Sequence, residues 1–315
     1  MRDNAIIIAM ALGSLLLLAW MLGHGLNADN YQFFLSLRFP KLWAMLLAAV
    51  AVAQSSLVFQ TITHNRILTP SIMGFDGLYL LTQVLVVVTL GVLSPWLMDP
   101  FANFTLTLVV MAGFSLLLFS LYFKQQGNLM VLLLIGVVLG QLFSNVASFM
   151  TLVLDPNDFA TVQSKMFASF SNIKTDLVML ATPLLVVMSW AIYRQHRRLD
   201  ILWLDKDNAI GLGVDVRKIT RQMLIYSSVL VALSTAMVGP VMFFGLLVTN
   251  LTREMLQSYR HQRLLIACSI TAIFSLLLGQ WLIESVFHFS TTLSVVINFI
   301  GGVYFLSMLL RNKFN

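Results

Sequence analysis

Apolar runs of about twenty residues follow one another along nearly the whole chain, and no other feature narrows the possible folds so far. About 20 such residues carry an α-helix across the hydrocarbon core of a bilayer. The runs fall near 5–23, 41–60, 77–97, 103–123, 130–153, 175–193, 222–239, 241–256, 264–283 and 293–310. The expectation is an all-α polytopic membrane protein of about ten transmembrane helices, forming one transmembrane domain, 1–315. The eighth run is short and begins at Pro240, a residue suited to a first helical turn. Charged residues make up only 10% of the chain, against about 25% in a soluble domain. The first run is followed by many others and lacks a small-residue cleavage site, so it is read as a retained helix. Cys268 is the only cysteine. It lies in an apolar run, which excludes a disulfide framework.

The basic residues set the orientation. With the N-terminus inside, the inner segments hold Arg2, Arg66, Lys124, Arg194, Arg197, Arg198, Lys206, Arg217, Lys218, Arg221, Arg253, Arg260, Arg263, Arg311 and Lys313. The outer segments hold only Arg38, Lys41, Lys165 and Lys174. Cytoplasmic loops of membrane proteins carry this excess of Lys and Arg, so both termini are expected in the cytoplasm. The net charge of +6 therefore marks topology, and no nucleic-acid partner is implied.

One inner segment, Leu204 to Gln222 (LDKDNAIGLGVDVRKITRQ), is a polar island. Glycine in the left-handed region stops helices, and Asp is a good N-cap. The segment is read as two short helices, about 205–211 and 215–221, broken at Gly211-Leu212-Gly213 and capped by Asp215. It either docks onto a partner or is an ordinary solvated loop. On the outer side, a short helix is expected over about 156–172, with Phe159, Val162, Met166, Phe167 and Phe170 at helical spacing. It reads as an outer gate or as an interfacial packing helix. Runs two to five and seven to ten start on opposite faces, which an inverted repeat would require, but no self-similarity supports one.

Ionisable groups are scarce within the runs. Asp76, Asp176, Glu284 and His288 are placed at run ends, whereas ion-coupled carriers usually set a charge at membrane depth, which argues against that class. His24, His64, His196, His261 and His288 have no metal-ligand spacing, and no nucleophile–base set is recognisable. No metal, cofactor or catalytic residue is implied. No Gly-Lys pair occurs, so a nucleotide-binding loop of the Gly-x4-Gly-Lys-Ser/Thr form is missing. Any ATP hydrolysis would belong to another chain.

Uncharged polar residues form rows instead. Run two carries Gln54, Ser55, Ser56 and Gln60; run five carries Gln141, Ser144, Asn145 and Ser148 on one helical face; run ten carries Asn298. Such residues face protein or water rather than acyl chains. Singly they read as interhelical hydrogen bonds, the run-five row reads most clearly as a translocation path, and Gln54, Gln60 and Asn298 are taken with it as path residues. Gly136, Gly140 and Gly301-Gly302 read as close helix packing.

Four stretches carry a resemblance: Arg38-Phe39-Pro40-Lys41, QTITHNRILTPSIMG (60–74), AIGLGVDVRK (209–218) and GPVMFFGLLVTNLTR (239–253). In their order and spacing they resemble the membrane subunits of bacterial ABC importers for iron–siderophores, haem and cobalamin. Arg66 stands where that family has proline, Thr249-Asn250 where it has Pro-His, and Thr291 to Val295 lacks its Leu-Pro-x-Gly. Such drift resembles one member of an unequal permease pair, and NRILTPSIMGFD (65–76) resembles the catecholate-type siderophore subfamily.

The resemblance implies a type II ABC importer permease in the bacterial inner membrane. Its partners would be a second permease subunit, two copies of a cytoplasmic ATPase and an extracytoplasmic binding protein. It also implies residue roles. Asp207, Gly211, Gly213, Asp215 and Arg217 would couple to the ATPase. Arg38 and Lys41 would dock the binding protein, and Asn65 and Ile67 would line the inner gate. The polar row on run five would face a cavity between two permeases. Haem or cobalamin as cargo, an ATP-independent carrier and a membrane enzyme are the competing readings.

Overall fold

The structure is a computed structural model that describes residues 2–27, 31–124, 129–170, 173–204, 206–286 and 292–314. Asp205, Ser171, Asn172, His288 and Thr291 lie outside the described residues. The order of elements is α1 (Arg2–Gly23), α2 (Tyr31–Thr63), a 3-10 turn (Pro70–Met73), α3 (Phe75–Leu90), α4 (Pro95–Met98), α5 (Pro100–Lys124), α6 (Leu129–Thr151), α7 (Pro156–Lys165), α8 (Thr175–Arg194), α9 (His196–Leu202), α10 (Lys206–Gly211), α11 (Val216–Val238), α12 (Phe244–Met255), α13 (His261–Ser285) and α14 (Leu293–Phe314).

Each of the ten apolar runs contains one principal helix. Seven of these (α1, α2, α5, α6, α8, α11 and α13) are long and apolar enough to cross a bilayer unaided. The other three are shorter: α3 has 16 residues, α12 has 12, and the apolar part of α14 covers Leu293–Ser307. Irregular backbone at membrane depth is tolerated where protein surrounds it. That holds beside α12, where Val241 and Phe244 are buried and Phe243 packs against Gly301 of α14.

The centre of the bundle is α2 against α11, flanked by α13, α8 and α12. Ala44, Ala48, Ala49, Ala51 and Ala53 are buried small residues around α2, which lets neighbouring backbones approach closely. By contrast α1 is largely peripheral, with Leu15, Leu16 and Trp20 exposed.

Several boundaries differ from expectation for identifiable reasons. Helix α2 starts ten residues before run two and passes through Pro40. Run three breaks at Gly91, whose φ of 80° ends α3, and resumes as α4 with Ser94 as its N-cap. The outer helix α7 stops at Lys165, short of 172. In the inner loop, 215–221 is no separate helix but the first turns of α11.

The expected small-residue contact is present. A side chain at Gly74 would meet the Gly140 Cα at 2.7 Å and the Gly136 carbonyl at 2.9 Å. Gly301 is closed off by Phe243, whereas Gly302 has open space beside it.

Candidate functional site

The polar loop ends α10 with a complete Schellman turn. Gly213 adopts φ +77°, its N–H reaches the Ile210 carbonyl at 2.9 Å, and the Val214 N–H reaches that of Ala209 at 3.0 Å. These are the two bonds such a turn requires. Asp215 then caps α11, its carboxylate accepting from the Lys218 N–H at 3.0 Å. Gly211 is the last residue of α10, and nothing lies near its α-carbon. Ala209 is buried beneath the turn, while Leu204, Ile210 and Leu212 are bare, 64%, 55% and 61% exposed. Around them Asp207, Asn208, Asp215, Arg217 and Lys218 are exposed. The loop is thus a small foot with apolar toes ringed by charge, fused to α11.

Behind the foot, Trp203 joins it to the bundle. The Arg253 guanidinium lies 4.5 Å from its ring and that of Arg66 at 5.8 Å. His64 stacks on it at 6.1 Å, and His261 meets it edge-on at 6.5 Å. His261 is fully buried. Its Nδ1 lies 2.8 Å from the Asp200 carboxylate, its Nε2 2.8 Å from the Thr61 hydroxyl. Burial works against the charged form of Asp200. The hydrogen bonds from the His261 ring and N–H, with the charges of His261 and His196, outweigh it and hold that carboxyl below its ordinary value. This cluster locks α9, the end of α2, α12 and α13 together. Its members are scattered in sequence, so periodicity could not reveal it; Thr61, His64, Arg66 and Arg253 lay within recognisable motifs, whereas Asp200, Trp203 and His261 lay in none.

The segment after α2 is clamped to α12. Gln60 donates to the Arg66 carbonyl and to the Thr249 hydroxyl, both at 2.8 Å. Asn250 donates to the same Arg66 carbonyl at 2.9 Å. Three residues that depart from the family pattern, Arg66, Thr249 and Asn250, therefore meet in one polar clamp. Within the clamped segment the Asn65 side chain accepts from the Ile67 N–H at 2.9 Å, and both residues remain half-buried.

Of the polar rows, the one on α6 is open. Gln141, Asn145 and Ser148 are exposed, Gln141 donating to Asn145 at 3.1 Å, and Ser144 is half-buried. The row on α2 is turned into the bundle. Gln60 has no exposed surface. Gln54 donates to Ser269 at 3.3 Å and leaves its own carbonyl oxygen buried without a partner. Asn298 likewise has a buried, unpartnered carbonyl oxygen. At the opposite end of the molecule, Arg38 donates to the carbonyls of Leu22 and His24 at 3.0 and 2.7 Å, closing α1 onto α2. Lys41 pairs with Glu284 of α13 at 2.6 Å.

Asp76 corrects the reading from sequence. It is the second residue of α3, yet it does not lie at a surface. The next residue, Gly77, abuts the Gly140 carbonyl, and Gly140 is the midpoint of the 23-residue α6. Asp76 is buried at that level, with its Oδ1 unpartnered.

A helical bundle with backbone-close helix crossings, an open polar stripe and a polar foot fused to α11 fits a membrane transport subunit. Comparison with known proteins gives the same class. Residues 4–311 match the model of the FecCD transport family, and the chain belongs to that family. It is 46% identical over 288 residues, 91% of each chain, to the petrobactin import system permease protein YclO of Bacillus subtilis. It is 31% identical to the permease protein FatC of Bacillus anthracis, covering 86% of this chain and 77% of FatC. Its fold superposes with a TM-score of 0.84, at 22% identity and over 98% of this chain and 99% of the other, on a metal-chelate type ABC transporter in an inward-facing conformation.

Proposed function

We propose that this chain is one permease subunit of a bacterial inner-membrane ABC importer for ferric siderophores of the catecholate kind. A second permease, a pair of ATPase subunits and an extracytoplasmic binding protein would complete the assembly. The foot on α10–α11 is the observation that carries the reading. Three bare apolar side chains on a polar loop would be costly in solvent and fit a cleft on a partner. The charges of Asp207, Asp215 and Arg217 around them would orient docking more than hold it. YclO and FatC, both named petrobactin import permeases, support the cargo class.

In this reading ATP-driven closure of the partner subunits pushes the foot, and α11 carries the push into α2. Trp203 and its flanking arginines pass it to the segment of Asn65 and Ile67, which would shut or open the inner end of the path. The open stripe of Gln141, Ser144, Asn145 and Ser148 would face the second permease across a polar, weakly binding tunnel. A ferric chelate is already coordinated, so the tunnel need supply no ligands of its own.

Gly213→Val is the test. A β-branched residue at φ +77° is strained by about 1–2 kcal/mol, and the Schellman turn would be lost. Ferric-siderophore uptake by the complete importer should fall to background while the variant inserts normally. Uptake at the wild-type rate would sink the coupling role.

A further inference from the structure

A cavity of about 340 Å³ opens between α3, α5, α7, α8 and the end of α11. Its polar lining includes Tyr79, Asn103, Ser164 and Lys165. Asn103 is occupied: it donates to the Gln83 side chain at 2.9 Å and to the Trp96 carbonyl at 3.0 Å. Ser164 donates to the Thr161 carbonyl at 2.7 Å. Lys165 and the Tyr79 hydroxyl have no hydrogen-bond or ionic partner among the described residues. Among the described residues, none that lines the space is acidic. Asp99, beside the lining residues Met98 and Pro100, directs its carboxylate to the Phe101 and Ala102 N–H groups and to Lys174 at 4.0 Å.

A partly buried ammonium without a counter-charge is costly. Here burial pulls the Lys165 amine below its ordinary value with nothing to restore it. A bland packing role does not explain a cation facing an unfilled space. An anionic, oxygen-bearing guest does explain it.

We propose that this cavity is a transient subsite for an anionic arm of the ferric chelate, with Lys165 donating to its carboxylate or catecholate oxygen and Tyr79 donating a second hydrogen bond. The proposal rests on the importer reading above. The volume lies at the small end for ligand pockets, so it takes an arm rather than a whole chelate. A ferric tris-catecholate carries three negative charges, whereas a ferric tris-hydroxamate is neutral. Lys165 would therefore act in specificity as well as capture. Tyr79 lies on α3, three residues after Asp76, so an occupied subsite also touches the helix that crosses α6.

The test is uptake by the complete importer in liposomes, comparing wild type with Lys165→Gln, Lys165→Arg and Tyr79→Phe. A charge-assisted hydrogen bond lost at this site should raise the half-saturating concentration of an anionic ferric catecholate about tenfold in Lys165→Gln. Lys165→Arg should stay near wild type, and Tyr79→Phe should shift it severalfold in the same direction. An unchanged half-saturating concentration in both Lys165→Gln and Tyr79→Phe overturns the subsite. The runs are repeated in phosphatidylcholine alone and with added phosphatidylglycerol. A difference between variants that needs the anionic lipid assigns the cavity to a headgroup and overturns the chelate assignment. If the wild-type assembly moves no ferric chelate at all, the importer reading falls first, and the subsite with it.

Discussion

At the residue scale, two carboxylates make opposite statements. Asp200 gains a hydrogen-bonded partner on folding, and its carboxyl sits below its ordinary value. A depressed value means that its contribution to stability is complete above about pH 4 and is lost as pH falls further, toward the folded value. Thermal unfolding should therefore separate wild type from Asp200→Asn most strongly at neutral pH, with the gap narrowing in acid. The Asp76 side chain is buried, with its Oδ1 unpartnered among the described residues. Removing an unsatisfied polar group of this kind is worth about 1–3 kcal/mol, so Asp76→Leu should raise the unfolding temperature in detergent. A wild-type or lower value would mean that an unseen partner satisfies Asp76 in the assembly. The Asp215 cap and the left-handed Gly213 were legible from sequence, because capping and φ preference are local chemistry. The depth of Asp76 was not. Counting apolar residues places it at a helix start, and only the fold shows that α3 starts level with the middle of α6.

At the scale of elements, the bundle is held by two kinds of joint. One is the crossing of the 3-10 turn and α3 over α6, where Gly74, Gly77, Gly136 and Gly140 bring backbones into contact. Gly140→Val should block this crossing and abolish stable insertion, measured as loss of folded protein after extraction. The other is aromatic and cationic, around Trp203. In the proposed importer, Trp203→Ala should leave the foot able to bind an ATPase subunit but weaken transmission, so that ATP hydrolysis continues while uptake falls. Helix periodicity found the glycine joint, since Gly136 and Gly140 share one face. It could not find the Trp203 joint, whose members come from four separate segments. The same limit explains the two polar rows. Composition made those of α2 and α6 look alike, and only packing showed one turned inward and the other bare.

At the scale of the whole molecule, the α6 stripe and the foot are two exposed surfaces on which the proposed assembly would draw. Cys268, the single cysteine, is fully buried, so introduced cysteines can be read against a quiet background. Asn145→Cys and Ser148→Cys should react with a water-soluble thiol reagent in the assembled importer, and Gln60→Cys should not. Protection of the α6 positions would show that lipid or protein covers the stripe instead of water. The number of apolar runs was plain from sequence because each must match one bilayer thickness. The shortness of α3 and α12 was hidden, since their runs continue as turns and irregular backbone that are just as apolar.

The glycine crossing has a mechanical corollary. Where two main chains meet with only hydrogen atoms between them, no long side chain can slip to a new rotamer and absorb a displacement. The joint can roll but has almost no slack. A tilt of α6 must therefore reappear at once as a turn of α3, in the manner of meshed gears, and the two cannot drift apart during a cycle.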